Sequence, residues 1–403
     1  MMSNTNAFYK AKIAIVRFIV IIGFAICSFH HYILAYYVGL NAYPYNTFLF
    51  RPEDKFNDFY NIYNAAAGLD PYAFKVSVYF PFTFVVMYPF TFLKADLAYA
   101  LYFTAFTVFL VCFISRSLKN QRRIEKASDL FVFTFLSYPF LFSVDRGNVE
   151  MLIFVFLALF VHFYVKGRQR ISVIFLSLAT AMKLYPAVFG LLYFEDKKYR
   201  NILLSALLVA ALTVSSAAIL KGGIRGSVTG LKRNLEIFER EYIRADHGLQ
   251  HNCSLYGAVR IFHQEVLEKT NVPFNRKLVF GLTAALLGLV FVFAFFREKT
   301  FWKKICLLVL IILLLPQVSY DYKLIHLYIP LMLFLGNQEW GRWDTVYAAL
   351  FGFLFIPKDY YLLRSDISIA VVINPLLMLS IAAIILYEKY RPGVLTSAPP
   401  DRI

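Results

Sequence analysis

Asp58, in the first hydrophilic stretch of the chain, is the first residue that is placed to do chemistry. The stretch reads FNDFYNIYNAAAGLDPY, and Asp58 lies near helical spacing from Tyr60, Tyr63 and Ala67. This pattern predicts a short amphipathic helix that lies along a surface. A carboxylate held there can act as a general base that removes the proton of a hydroxyl group. The same pattern also fits an ordinary surface aspartate or a helix N-cap.

A second charged motif, DRGNVE at 145–150, lies between two apolar runs that leave no room for a loop. It contains Asp145, Arg146, Asn148 and Glu150. Adjacent opposite charges at the start of a helix are typical of a capped turn. They can equally bind a polar ligand.

Lys183 is the third candidate, because it interrupts an apolar segment and is followed by Tyr185 and Pro186. An ammonium group in apolar surroundings is expensive and needs an anionic partner. A lipid phosphate is a partner from outside the protein, and Asp145 or Glu150 is a partner from within it.

The fourth motif is PQVSYDYK at 316–323, which contains Tyr320, Asp321 and Lys323 and is followed by His326. It is a turn too short to be a domain. His247 and His251 are four residues apart, but no third metal ligand follows at a recognisable spacing, so the sequence predicts no metal site.

The composition shows which elements must hold these residues. Of the 403 residues, 60% are apolar and 16% are charged, and the mean hydropathy is +0.60. Soluble proteins have roughly 45–50% apolar and about 25% charged residues, so the chain is a polytopic membrane protein. Its net charge of +16 fits Lys and Arg in cytoplasmic loops better than a nucleic-acid partner.

Ten apolar runs approach the length that crosses about 30 Å of hydrocarbon. They lie at about 13–38, 97–115, 129–144, 149–165, 201–220, 277–296, 304–318, 322–336, 343–357 and 369–387.

Two further apolar segments are interrupted. Residues 79–93 contain Pro81 and Pro89, which break helical hydrogen bonding twice. Residues 171–194 are broken around Lys183. We expect the first segment to be re-entrant and the second to form two half-helices that return to the side from which they start.

This topology places 21 Lys and Arg residues in segments of one side, among them RSLKNQRRIEK at 116–126, and that side is then cytoplasmic. Both termini are cytoplasmic, and the hydrophilic stretches 39–78 and 221–276 are external, although the second is itself basic. The prediction is one all-α domain over 1–403, with about ten full transmembrane helices, broken half-helices and external amphipathic loop helices, in the cell (inner) membrane.

The chain resembles membrane glycosyltransferases of the GT-C superfamily, and most closely glycosyltransferase family 87. The resemblance covers roughly residues 50–335 and rests on an ordered set of motifs. These are Asp58-Phe59 and Gly68-Leu69-Asp70-Pro71-Tyr72, the Pro-rich aromatic segment after them, Asp145-Arg146-Gly147-Asn148, Lys183-Leu184-Tyr185-Pro186 and Ser319-Tyr320-Asp321-Tyr322-Lys323.

The resemblance implies a polyprenyl-phosphate sugar donor, usually a carrier of mannose or arabinofuranose, and transfer on the external, non-cytoplasmic face. It also implies that Asp58 is the catalytic base of an inverting hexosyltransferase, mannose being the expected sugar and a lipid or glycan the acceptor. Lys183, Arg146, Lys323 and Tyr185 are then candidates for binding the lipid phosphate.

The remaining polar residues of the motifs are candidates for substrate binding, and no cofactor is expected. They are Asp145, Asn148, Glu150, Tyr320, Asp321 and His326.

The alternative is a polysaccharide polymerase or ligase, or a flippase for lipid-linked glycans. Such proteins also have many spans, and a polymerase would use an Arg-rich external loop. Arg233, Arg240 and Arg244 lie in the basic stretch 221–276. Dependence of activity on these arginines, with Asp58 dispensable, would favour the alternative.

Overall fold

The computed structural model describes residues 2–39, 55–73, 77–118, 121–267, 276–337, 339–358, 362–363 and 367–390. Over these residues the protein is helical, and its only β-type pairings are two isolated bridges. Parts of the predicted external stretches lie outside the described residues, as does the C-terminal tail. These parts are 40–54, 74–76, 268–275 and 391–403.

Seventeen α-helices are described. They are α1 (Met2–Tyr36), α2 (Asn57–Ala67), α3 (Pro81–Met87), α4 (Ala95–Ser117), α5 (Arg123–Phe135), α6 (Tyr138–Arg146), α7 (Glu150–Val165), α8 (Gln169–Met182), α9 (Leu191–Glu195), α10 (Tyr199–Ile219), α11 (Gly223–Phe238), α12 (Leu255–Phe262), α13 (Arg276–Arg297), α14 (Phe301–Leu314), α15 (Tyr328–Gly336), α16 (Asp344–Leu354) and α17 (Ala370–Tyr390). Between them lie 3-10 turns at Pro71–Ala73, Tyr88–Phe92, Tyr185–Gly190, Asp246–Gly248 and Asp321–Leu327, and π-helical turns at Glu239–Ile243 and His263–Leu267.

Five of the described helices are long and apolar enough to cross a membrane, and the bent pair α5–α6 would make six. These five are in α1, α4, α10, α13 and α17. Over the described residues, the structure therefore confirms an all-helical protein with candidate membrane spans but does not confirm ten full spans. The other apolar runs form shorter helices: α7 has 16 residues and α16 has 11, which at 1.5 Å per residue extend about 24 and 17 Å.

Broken helices account for part of this difference. The axes of α5 and α6 differ by 49°, and Pro139 lies in the first turn of α6, where its ring nitrogen cannot donate a helical hydrogen bond. The predicted re-entrant segment is also broken, because α3 ends at Met87 and a 3-10 turn with Pro89 follows. Together the two pieces span 12 residues, Pro81–Phe92, or at most about 24 Å.

The predicted interruption at Lys183 is confirmed. α8 ends at Met182, and Lys183 has an extended backbone. At one end of α7 the Lys183 ammonium pairs with Glu150, 2.6 Å away. At the other end the Tyr164 hydroxyl donates to Asp196 over 2.8 Å. Residues 183–196 therefore run back along α7, to the end of the bundle from which α8 starts.

Contacts of the described residues join the predicted cytoplasmic segments at that same end. They are Tyr9 to the Ser117 carbonyl (3.0 Å), Lys10 to Glu125 (3.3 Å), Lys12 to Asp344 (2.6 Å), Lys303 to Glu388 (2.6 Å) and Lys304 to Glu195. We call this the basic end of the bundle, and the end with Asp58, Arg146, Glu150 and Lys183 the site end.

Candidate active site

Helix α2 carries Asp58 at the site end. Phe59, Ile62 and Ala66 are buried and attach one face of α2 to the bundle, while Asp58 and Asn61 border a cavity. The sequence pattern predicted this short helix, and the structure confirms it. Asp58 lies in the first turn of α2, where the helix dipole favours a negative charge.

Gly147 lets α2 approach the end of α6. Its φ of +62° is in the left-handed region, where other residues are strained. A Cβ at this position would lie 2.7 Å from the Cβ of Phe59. The Phe56 amide donates to the Asp145 carbonyl over 2.6 Å and joins the start of α2 to the last turn of α6. DRGNVE is thus a helix end and the next helix start, with three residues between them.

Both oxygens of Asp58 are oriented by neighbouring donors. Arg146 donates from Nη2 to Oδ1 over 2.6 Å, and Asn148 donates from Nδ2 to Oδ2 over 2.7 Å. Asn148 Nδ2 also lies 3.0 Å from the Tyr79 hydroxyl. The Asp58 side chain is 20% exposed. Because a carboxylate has about four acceptor positions, Asp58 can still accept a proton from a hydroxyl in the cavity.

Glu150 is the centre of a second, buried cluster. Its Oε1 accepts from Lys183 Nζ over 2.6 Å, its Oε2 lies 2.9 Å from His326 Nε2, and the Tyr185 hydroxyl donates to the same Oε2. The Glu150 side chain has no exposed surface. Glu150 is thus the anionic partner of Lys183. The sequence alone did not decide between Asp145, Glu150 and a lipid phosphate. Asn148 joins the two clusters, because its Oδ1 accepts from the Glu150 amide over 3.1 Å.

Two lysines bring positive charge to the same cavity. Lys183 Nζ lies 4.8 Å from the centre of the Tyr79 ring, and Lys323 Nζ lies 5.0 Å from the centre of the Tyr185 ring. Lys323 is only 7% exposed and forms no ion pair with a carboxylate among the described residues. A buried cation without such a partner favours an anion in the adjoining space.

The Tyr79 side chain stays neutral beside the charged groups of Lys183 and Asp58. Burial, together with the Asp58 carboxylate, raises the pKa of the Tyr79 phenol well above its usual value. Its hydroxyl therefore keeps its proton at neutral pH and remains a donor as well as an acceptor.

The cavity has a volume of about 850 Å³ and is bordered by α2, residues 77–80, 182–185, 238–242 and 316–323. Asn252 holds the last of these segments in place, since its Oδ1 accepts from the Ser319 amide over 3.0 Å and its Nδ2 donates to the Gln317 carbonyl over 3.1 Å. Of the residues predicted for the site, six border the cavity: Asp58, Arg146, Lys183, Tyr185, Tyr320 and Lys323.

The other five predicted residues are buried behind the cavity wall: Asp145, Asn148, Glu150, Asp321 and His326. Their role in binding substrate stays a prediction, and each of them is 5% exposed or less. Glu150 and His326 bond to each other, and the Asp321 carboxylate accepts from Tyr138 over 2.9 Å and from Asn374 over 3.2 Å. The side chains of Asn148, Glu150, Asp321 and His326 thus form hydrogen bonds to other polar side chains.

Several residues that border the cavity were not predicted from the sequence. Tyr79 stands at the start of the predicted re-entrant segment, and its position just before Pro81 was the available signal. Tyr322 lies within a quoted motif but was not singled out. Glu241 and Tyr242 belong to the π-helical turn that follows α11, and no local sequence feature marks them.

Among the described residues, no group of three or more His, Cys, Asp or Glu side chains is placed to hold a metal ion. The polar groups that border the cavity instead combine a carboxylate with lysine, arginine and tyrosine donors. Such a set can accept a proton at one position and stabilise an anion at another.

The fold and the site define a helical membrane protein with a charged cavity at one end of its bundle. The chain belongs to glycosyltransferase family 87, whose family model matches residues 78–316, and the protein is therefore a glycosyltransferase. The match includes Arg146, Glu150 and Lys183, whereas Asp58 and Lys323 lie outside it. The comparisons with curated proteins and with solved structures gave no match.

Proposed function

We propose that this glycosyltransferase uses a polyprenyl-phosphate hexose as donor, with mannose as the sugar, and transfers the hexose to a lipid- or glycan-linked hydroxyl on the external face. The observation that carries the proposal is the single cavity that adjoins the oriented carboxylate of Asp58, the Lys183 ammonium and the Lys323 ammonium. The choice of mannose and of a polyprenyl carrier rests on the family resemblance.

In the proposed reaction Asp58 is the general base. The acceptor oxygen attacks the anomeric carbon while Asp58 takes the hydroxyl proton, so the new glycosidic bond forms as the old carbon–oxygen bond to the phosphate breaks. The electron pair of the broken bond leaves with the lipid phosphate. A single displacement of this kind inverts the anomeric configuration.

Lys183 and Lys323 are the proposed phosphate ligands. An ammonium group has three donors, and Lys183 uses one of them for Glu150. The charge that develops on the leaving phosphate would be stabilised by the remaining donors. Arg146 is already paired with Asp58, so we assign it mainly to holding the base.

The outward face of helix α11 supports the proposal that the substrate is lipid-linked. Its small and polar residues Ser227, Gly230 and Asn234 are buried against the protein, while Ile224 and Val228 point outward and are 48% and 62% exposed. An apolar stripe on the outward face is typical of a helix that lies in the membrane interface. Phe238 at the end of α11 borders the cavity, so a lipid-linked substrate would enter beside this helix.

The positive-inside rule supports an external site. The basic segments meet at the basic end, and Asp58 lies at the other. A reporter inserted into 116–126 should therefore be found in the cytoplasm, and one inserted into 221–267 outside. A reporter in 116–126 that is found outside would contradict the proposed face.

The arginines that a polymerase would require are already engaged. Arg233 donates to the Tyr72 carbonyl, Arg240 lies 3.3 Å from Glu241, and Arg244 lies 2.7 Å from Glu239. None of the three borders the cavity. The site therefore favours transfer of a single sugar over the polymerase alternative.

The test is to incubate the purified protein with a panel of polyprenyl-phosphate sugars and a lipid acceptor, and to detect products by mass. We expect hexose transfer from the mannosyl donor, with the opposite anomeric configuration in the product. Retention of configuration would contradict the single displacement. Transfer from a nucleotide sugar alone would contradict the lipid donor.

A further inference from the structure

A second cavity lies between α4, α7 and α15 and has a volume of about 830 Å³. Phe109, Phe113, Leu159 and Leu333 are among the apolar side chains that line it. We propose that this cavity, the α4–α7–α15 groove, binds an anionic glycerophospholipid of the leaflet opposite to the active site.

The position of the groove follows from α4 and α7, which contribute to both ends of the bundle. At the site end, Tyr102 of α4 donates to the Asn148 carbonyl over 2.9 Å, and α7 begins at Glu150. The groove is lined by the other end of each helix, up to Ser117 and Lys166. Lys166 is sixteen positions after Glu150, which corresponds to about 24 Å along a helix. That distance nearly crosses the hydrocarbon of a bilayer, about 30 Å.

Two cations stand where the groove reaches the basic end. Arg116 is in the last turn of α4, and Lys166 caps α7. Both are exposed, and neither forms an ion pair with a carboxylate among the described residues. Basic residues between membrane helices on the cytoplasmic side are suited to anionic lipid head groups. A phosphate between Arg116 and Lys166 would complement a charge that the described part of the protein leaves unpaired.

The apolar walls fix the occupant as a lipid but not which lipid. A hydrocarbon chain gains little when it moves from the bilayer into an apolar groove, because lipid tails are as apolar as leucine. Discrimination must come from the head group. The groove should therefore prefer an anionic over a zwitterionic lipid with the same chains, by roughly fivefold for each cation.

The first experiment measures which lipid stays with the protein. The full-length protein is reconstituted in equal amounts of phosphatidylglycerol and phosphatidylcholine with identical chains, extracted, and its bound lipid is counted by native mass spectrometry. We expect phosphatidylglycerol to be enriched, and R116Q/K166Q to reduce this enrichment about twentyfold.

Arg168 and Arg170 provide the matched control. Both are exposed at the same end, but neither lines the groove. R168Q/R170Q removes the same charge and should keep the enrichment. An equal loss in both double variants would show diffuse attraction to the surface and overturn the proposal, as would no enrichment in the unaltered protein or retention of a polyprenyl phosphate instead.

A second measurement uses the unaltered protein, so its outcome does not depend on whether a variant folds. Of the four cysteines, Cys112 is exposed and lines the groove, while Cys27, Cys253 and Cys306 are buried. A bimane label would therefore react at Cys112. Phosphatidylglycerol with brominated chains should quench the label at a several-fold lower mole fraction than brominated phosphatidylcholine. Equal quenching by the two lipids would contradict a head-group-selective site.

Discussion

The two cavities have nearly the same volume, about 850 and 830 Å³, and α4 and α7 reach toward both, yet their walls differ in kind. Charged side chains border the site-end cavity at several points. Asp58 pairs with Arg146, and Lys183 pairs with the buried Glu150, whereas Lys323 forms no ion pair with a described carboxylate. In the α4–α7–α15 groove, the charges stand at one end and the walls are apolar. In the proposed reaction the site-end cavity stabilises a leaving phosphate, for which fixed charge must lie close to the reacting atoms. In the proposed lipid site, charge is needed only at the head group.

The largest expected effect tests whether the Asp58 carboxylate is the base. Asp58→Asn should lower kcat about 10²–10⁴-fold, the range for loss of a general base, while the donor still binds. Arg146 and Asn148 donate to Asp58, and an amide can accept from only one of them, so the melting temperature should be checked alongside the rate.

Glu241 is the matched control for Asp58. It is a second carboxylate at the border of the same cavity, but its side chain is 50% exposed and pairs with Arg240. Glu241→Gln should change kcat less than about threefold. Near-normal turnover by Asp58→Asn, or a large loss in Glu241→Gln, would remove Asp58 from the proposed mechanism.

The next effect concerns the buried pair of Glu150 and Lys183. Breaking a buried ion pair by removing one partner costs about 3–5 kcal/mol, because the other charge stays buried. Lys183→Met leaves the Glu150 charge without exposed surface and should lower the free energy of unfolding by about that much. Glu150→Gln should cost less, because Lys183 is 19% exposed and borders the cavity. The double variant should recover part of the loss. Additive losses in a double-mutant cycle of melting measurements would contradict the coupling.

Lys323 is a cleaner test of phosphate binding than Lys183. Lys183→Ala should raise the KM for the donor more than that for the acceptor, but it also leaves Glu150 without its main partner. Lys323 makes no ion pair with a described carboxylate, so Lys323→Ala should raise the KM for the donor about 10–100-fold, the range for a charged hydrogen bond. Steady-state kinetics in which each substrate is varied in turn will give the KM for the donor and the KM for the acceptor separately. Equal changes in both KM values would argue against phosphate binding.

The sequence predicted two of the elements that carry the site. The hydrophilic stretch around Asp58 predicted α2, and the interruption at Lys183 predicted the returning segment. The ten full spans expected from hydropathy are not confirmed, because hydropathy measures apolar composition and not helix continuity. Pro139, for example, divides one apolar run into the bent pair α5–α6.

The orientation of individual side chains could not be predicted. Within DRGNVE, Arg146 borders the cavity, whereas Asp145, Asn148 and Glu150 do not. Neighbouring residues of a helix point about 100° apart, and the turn at Gly147 rotates them further. A motif of this length therefore indicates which residues are near the site but not which of them touch the substrate. Glu241 was missed because only tertiary packing brings its turn to the cavity.

The smallest expected effect comes from the exposed arginines at the site end. Arg240 and Arg244 form pairs whose side chains are 45–71% exposed, and such pairs contribute about 0–1 kcal/mol. Arg240→Gln and Arg244→Gln should therefore leave the melting temperature nearly unchanged. They should change kcat/KM, measured with the lipid donor, less than about threefold. The same substitutions would abolish activity in a polymerase that binds its glycan through these arginines. Because Asp58→Asn and the two arginine variants are expected to give opposite results under the two functions, measuring all three in one assay decides between them. Loss of activity in the arginine variants with normal turnover in Asp58→Asn would replace the proposed transferase mechanism with the polymerase.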